Sequence, residues 1–293
     1  MAEPKFSVCE LTTLHLSFDE ELELLETLGV PGIGLFEQKL PDGQDGDSIR
    51  KLREAGLTAT VCIPAVFAIL PTKAFPGPED PEVRIEGICA SIRRLAPFEP
   101  VTMMCITGPQ GDYSPQEARR IVVDGLRRIA RTANDVNVPI GVEPTHRSSL
   151  DIFTTVATIP EAVELVEEVG EPNLGILFDT WHNWDTPDVL EHIRREGHRF
   201  VPAIHIDDWR NPTRGWCDRA LPGQGVMDLP AMFGALDASG WEGNWFDMEI
   251  FSDDGTLEVE YPDSLWKTLT PAELVERGRA GFLAAWEARA VPA

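Results

Sequence analysis

Pro139-Ile-Gly-Val-Glu143, Leu174-Gly-Ile-Leu-Phe-Asp179, Val201-Pro-Ala-Ile-His205 and Trp245-Phe-Asp-Met-Glu249 are four short apolar runs, each closed by an ionisable residue. A strand buried on both faces reads as a continuous hydrophobic run, and the carboxyl ends of parallel strands are where α/β enzymes keep their chemistry. Glu, Asp, His and Glu supply the hard oxygen and imidazole donors that suit a divalent cation. The four runs therefore bear on fold and function together.

Working outward from them, strand-like runs rich in Val, Ile and Phe fall at 6–11, 32–37, 58–64, 101–107, 140–145, 175–181, 201–207 and 245–251. Between them lie segments of helical periodicity at 18–28, 114–133, 160–169, 187–195, 229–238 and 271–286. Ser114-Pro-Gln-Glu117 places a proline and a capping-box glutamate where a helix begins. Eight alternations ending in a helix predict an α/β protein, a single (β/α)8 TIM barrel spanning 1–293, close to the roughly 250 residues of that architecture. Two segments are too long for simple connectors: 65–82, with four prolines, and 208–225, with three arginines and several glycines. Loops of that length in a compact domain are commonly functional, and in a barrel both follow strand ends on the same face.

Composition narrows the function classes. With 49 acidic against 25 basic residues the formal charge is -24, which repels nucleic-acid backbones and anionic membranes alike. No nucleic-acid partner and no membrane partner are therefore expected. The five cysteines are scattered and lack zinc-thiolate spacing. With no basic-then-apolar leader pattern at the N-terminus and no apolar stretch long enough to span a bilayer, the expectation is a cytoplasmic soluble protein.

In a closed barrel the last four strand ends are neighbours, so Glu143, Asp179, His205 and Glu249 are predicted to converge as ligands of one divalent cation. Three carboxylates would repel one another without it. The donor set favours Mn²⁺, with Mg²⁺, Co²⁺, Zn²⁺ and Fe²⁺ also admitted. His182, three residues past Asp179, should leave its strand just above the metal and contact substrate. Arg219, before a Pro-Gly turn, is a further substrate-binding candidate, and His146, just after Glu143, a weaker one.

These residues resemble those of the sugar phosphate isomerase/epimerase superfamily, the xylose-isomerase-like TIM barrels that include ketose 3-epimerases, inosose isomerases and inosose dehydratases. The motifs are Val-Glu143-Pro, Phe-Asp179-Thr-Trp-His182, His205-Ile-Asp207-Asp208, Arg219-Ala-Leu-Pro222-Gly223 and Glu249-Ile-Phe. The resemblance implies metal binding by Glu143, Asp179, His205 and Glu249, and substrate contacts by His182 and Arg219. It also implies proton transfer by Glu143 and Glu249, so Glu143, Glu249 and His182 form the expected catalytic set. The leading expectation is a divalent-metal-dependent isomerase or epimerase of a sugar, keto-sugar or cyclitol, acting through an enediolate. The alternative is a lyase or dehydratase on a keto-sugar or 3-keto-glycoside, including C-glycoside cleavage, by β-elimination. A non-catalytic sugar-binding subunit stands behind both, and an endonuclease-IV-like phosphodiesterase lacks the extra ligands and the basic face it needs. Asp207, where many relatives carry Lys, Asn or Gly, and the Trp-rich loop 209–220 depart from the epimerases and point to a bulkier, less polar substrate. A homo-oligomer, dimer or tetramer, or a hetero-oligomer with a partner subunit is open, with the tryptophans near Trp241 and Trp266 as candidate interface residues.

Overall fold

In chain order the strands are Lys5–Cys9 (β1), Gly32–Gly34 (β2), Thr58–Ala59 (β3), Val61–Cys62 (β4), Thr102–Cys105 (β5), Ile140–Val142 (β6), Leu174–Ile176 (β7), Ala203–Ile206 (β8), Asp208–Trp209 (β9), Arg219–Ala220 (β10) and Trp245–Met248 (β11). This computed structural model describes residues 3–289, so the expected span of 1–293 runs past the described residues at both ends. Apart from the hairpin β9–β10, every strand pairing is parallel, in two sheets ordered β3-β2-β1-β11-β8 and β4-β5-β6-β7. Bridges Phe36↔Ile63 and Asp179↔His205 join the sheets at both seams and close the ring. β3 and β4 form one stave, interrupted where Thr60 donates its N–H to Ile33 on one side and accepts from Thr102 on the other. The result is the (β/α)8 barrel that the alternation predicts.

Helices Phe18–Thr27 (α1), Asp45–Glu54 (α2), Pro81–Leu95 (α3), Pro115–Asn134 (α4), Ile159–Val169 (α5), Thr180–Asn183 (α6), Val189–Glu196 (α7), Leu229–Asp237 (α8), Leu265–Thr268 (α9) and Pro271–Glu287 (α10) connect or flank the staves. Ser17, Thr158 and Thr270 build capping boxes with Glu20, Glu161 and Glu273, which satisfies amide groups that a helix start leaves free. Besides the single-turn helices α6 and α9, two longer helices escape a reading by periodicity. In α2 only Ser48 and Leu52 are buried, too thin a stripe to register. In α3, Asp80 caps and Pro81 opens the helix, so the proline-rich segment at 65–82 ends in a helix start.

Two more expectations shift. The run at 175–181 leaves the barrel early, because Asp179 caps α6 and takes the N–H of Trp181 at 2.6 Å. The segment at 208–225 is not plain loop: β9 and β10 pair antiparallel, Arg219 opposite Trp209, in a hairpin too short for periodicity to reveal. All five cysteines are buried. Trp241 is buried with its Nε1 on Val201 O, and Trp266, half-buried, donates from Nε1 to Thr12 O. No helix of the described residues is long and apolar enough to cross a membrane.

Candidate metal and substrate site

Glu143 follows β6, Asp179 follows β7, His205 lies in β8 and Glu249 follows β11, so neighbouring staves deliver all four to one end of the barrel. Glu143, Asp179 and His205 each offer a ligand atom, and these atoms lie within 4.8 Å of one another. Two ligands of one ion held at roughly 2.0–2.3 Å sit at most about twice that distance apart, so the group fits a single divalent cation. His205 Nδ1 stands 2.9 Å from Glu143 Oε1 and 3.7 Å from Glu249 Oε2. Glu249, the fourth expected ligand, stands beside this group, with its Oε2 3.0 Å from Arg219 Nη1.

Arg219 is buried, and its Nη1 also reaches Asp179 Oδ2 at 3.1 Å and Asp207 Oδ2 at 2.6 Å. Thr180 Oγ1 donates to the other oxygen of Asp207 at 2.6 Å. Burial pushes the Glu143 carboxyl up to about 7, with Asp179 and Glu249 adding to the rise against His205. Burial alone would lower His205, but Glu249 and Glu143 outweigh it and lift the imidazole to about 10. Burial would raise Asp179, yet His182, Arg219 and His205 hold it below the usual carboxylate range. Asp207 is driven well above that range by burial and by Asp179. Buried carboxylates that converge in this way suit a divalent cation, which would offset both their mutual repulsion and their loss of water.

His182 is buried and accepts the backbone N–H of His146 on Nδ1 at 3.0 Å. Burial and the nearby Arg219 lower its pKa to about 3, so the ring is neutral. An accepting Nδ1 leaves the proton on Nε2, which stands 3.7 Å from Asp179 Oδ2 at the polar end of the site. The ring of His146 contacts Ser148 Oγ at 2.7 Å and Asp185, and its backbone N–H supports His182.

Above the carboxylates opens a narrow cavity. Its polar end is Glu143, Thr145, His182, Arg219 and Glu249, and the remaining walls are side chains such as Leu11, Ile63, Met104 and Ile106 together with aromatic rings. Of the two tryptophans in the 208–225 segment, Trp216 lines this cavity. Trp209 instead packs on Trp181 at 4.4 Å and on His146 at 4.9 Å, outside the lining.

A model of the xylose isomerase-like TIM barrel family matches residues 22–279. The chain belongs to that family. Among curated xylose isomerase-like relatives, it is 27% identical over 167 residues to a protein of Bacillus subtilis strain 168 named inosose isomerase, covering 56% of this chain and 54% of that one. It is 26% identical over 193 residues to one of Enterocloster bolteae named D-psicose 3-epimerase, covering 64% and 58%. The chain thus spans little more than half the length of these relatives. Among solved structures, a protein named IolI, described with a bound zinc atom, superposes with a TM-score of 0.76 at 21% identity, covering 96% of this chain and 97% of that one. The shared architecture is that of the xylose isomerase-like barrel.

Within this xylose isomerase-like barrel three residues escaped sequence reasoning. Thr145 lines the polar end with a buried, unpartnered hydroxyl, and only its place two residues past Glu143 hinted at it. Asp247 is fully buried beside the Ser7 and Thr60 hydroxyls, and His205, its register neighbour on β8, has an Nε2 without a hydrogen-bond partner among the described residues. A signal existed for Asp247, since it stands two residues before Glu249 and so shares its inward face. Glu10, just after β1, is buried and raised to about 8 by burial and by Glu21. It closes the run Phe6-Ser-Val-Cys-Glu10, the same kind of strand end that marks the four ligand candidates.

Proposed function

We propose that this chain is a divalent-metal-dependent isomerase or epimerase acting on the α-hydroxycarbonyl group of a sugar, keto-sugar or cyclitol by enediolate proton transfer. The observation that carries the reading is the buried Glu143, Asp179 and His205 group with Glu249 and His182 beside it. A divalent cation held by these residues, Mn²⁺ preferred, supplies a Lewis acid that acidifies the C–H next to the carbonyl. Glu143, just after β6 and beside His205, is the group that takes and returns the proton. Glu249 is its counterpart, and Arg219, within 3.0 Å of Glu249, orients that carboxylate while facing the cavity. His182 donates from Nε2 to a substrate oxygen. The names of the relatives agree with an enzyme of carbohydrate or cyclitol isomerisation. The buried cysteines suit a reducing compartment such as the cytoplasm.

Elimination is the second reading, favoured by the apolar wall that adjoins the proton-transfer groups and could receive a departing apolar group. The two separate in one experiment. Mn²⁺-loaded protein is incubated in D₂O with a panel of ketoses, 3-keto-glycosides and inososes. Isomerisation gives α-carbon deuteration at conserved skeleton, and elimination releases water or an aglycone. Glu143→Gln and Glu249→Gln should each lower turnover by roughly 10²–10⁴. Undiminished exchange in both variants would falsify the proton-transfer assignment.

A further inference from the structure

Phe67, Phe75, Phe153, Trp216 and Phe251 form one connected aromatic wall over the polar end. Ring centroids are 5.0 Å apart for Phe67–Phe75, 6.1 Å for Phe75–Trp216, 5.1 Å for Phe153–Trp216 and 5.3 Å for Trp216–Phe251. Four separate segments contribute: the loop after β4, the loop after β6, the turn before β10 and the stretch after β11. Convergence of rings from four strand ends on one cavity is not a by-product of any single element's core face. Phe75 and Trp216 are only half-buried and line both this cavity and an outer groove that holds Lys73, Asp151 and Glu258. The wall therefore runs from the carboxylates to the mouth.

A free ketose or inosose carries a hydroxyl on nearly every carbon. The polar end can serve those near the reacting carbon. Hydroxyls further along would lose water against this wall without gaining a partner, since Trp216 Nε1 is the one nitrogen or oxygen those five side chains offer. An aromatic ring loses nothing there and gains both buried area and ring-to-ring contact.

We infer that the substrate is amphipathic: an α-hydroxycarbonyl head of the sugar or cyclitol kind that carries an aromatic body, such as an aryl aglycone, seated against Phe75, Phe153 and Trp216. For the head this rests on the proposed metal-assisted reading; the wall alone specifies the body.

Two small probes separate these parts: 2-hydroxyacetophenone, an aryl α-hydroxyketone, and dihydroxyacetone, its hydroxylated counterpart, titrated calorimetrically into Mn²⁺-loaded protein with D-fructose as a third ligand. The aryl probe should bind at least about tenfold tighter than either of the others. Trp216→Ala and the milder Phe75→Leu, each checked for native circular dichroism, should narrow that ratio by about threefold or more. Equal or tighter binding of dihydroxyacetone or D-fructose overturns the inference, as does absent binding of the aryl probe or a ratio that neither variant moves. Chelation tests the head independently. If stripping the metal leaves both probes' affinities unchanged, the metal-centred reading fails, while the aryl preference still decides the nature of the body.

Discussion

Asp207 shows how one residue outside the metal group sets the geometry within it. It is fully buried and receives Arg219 Nη1 at 2.6 Å and Thr180 Oγ1 at 2.6 Å, one on each oxygen. Removing it leaves Arg219 with Asp179 and Glu249 but frees it to swing, and leaves the Thr180 hydroxyl only its longer bond, 3.3 Å, to the backbone carbonyl of residue 207. Asp207→Ala is therefore expected to destabilise the fold by about 3 kcal/mol, the low end for breaking a buried ion pair. Asp207→Asn keeps an acceptor for Arg219 and should cost about 1 kcal/mol. Urea melts of the two variants check this, and equal losses would show that the charge, not the anchoring geometry, matters. The carboxylate of Asp247 follows a related logic: Gly34 is required opposite it, because a Cβ there would lie 2.1 Å from Asp247 Oδ2.

At the scale of elements, the turn that carries Arg219 is organised by Asp208, which accepts N–H groups from Trp209 at 2.8 Å and from Gly223 and Met227 at 3.0 Å. Gly225 packs so closely that a Cβ would sit 2.3 Å from Asp208 Oδ1 and 2.5 Å from Trp209 O. Gly225→Ala should therefore cost about 1–3 kcal/mol by overpacking and raise KM more than it lowers kcat. Ser114→Ala, which removes the cap of α4 far from the site, should cost about 1 kcal/mol and leave both kinetic constants unmoved. Steady-state kinetics beside thermal melts distinguish the two outcomes. The same turn marks where sequence reading stopped. The staves were legible because burial on both faces writes an apolar run, and the ends at Glu143, Asp179, His205 and Glu249 because an ionisable residue closes each run. The hairpin β9–β10 has two residues per strand, too few for any period, and the aromatic wall is assembled from loops whose convergence only the closed barrel reveals. The contact between Arg219 and Glu249 was likewise invisible, since no spacing encodes which of several neighbours a carboxylate will choose.

At the scale of the molecule, the buried titratable groups link stability to pH and to the cation. Glu143 and Asp247 titrate at about 7 and Glu10 at about 8, each raised chiefly by burial, so each contributes stability below its unfolded value that is lost as pH rises through the folded one. His205, lifted to about 10 by Glu249 and Glu143 against the effect of burial, acts in the same direction above its unfolded value of 6.5. His182 opposes them only below 6.5, where the unfolded chain takes up a proton that the buried ring refuses. Between about pH 6.5 and about pH 8.5 the signs therefore agree, and chelator-stripped protein should melt at progressively lower temperature as pH rises. A cation entering the site must displace protons from Glu143 and His205, so its affinity grows as those protons become easier to remove. Because a ligand of the native state stabilises in proportion to the logarithm of its saturation, the rise in melting temperature given by a fixed Mn²⁺ concentration should widen over the same interval. Differential scanning calorimetry with and without Mn²⁺ at both ends of the range measures this directly. A shift that stays constant or shrinks with pH would mean that Mn²⁺ binds somewhere other than among Glu143, Asp179 and His205.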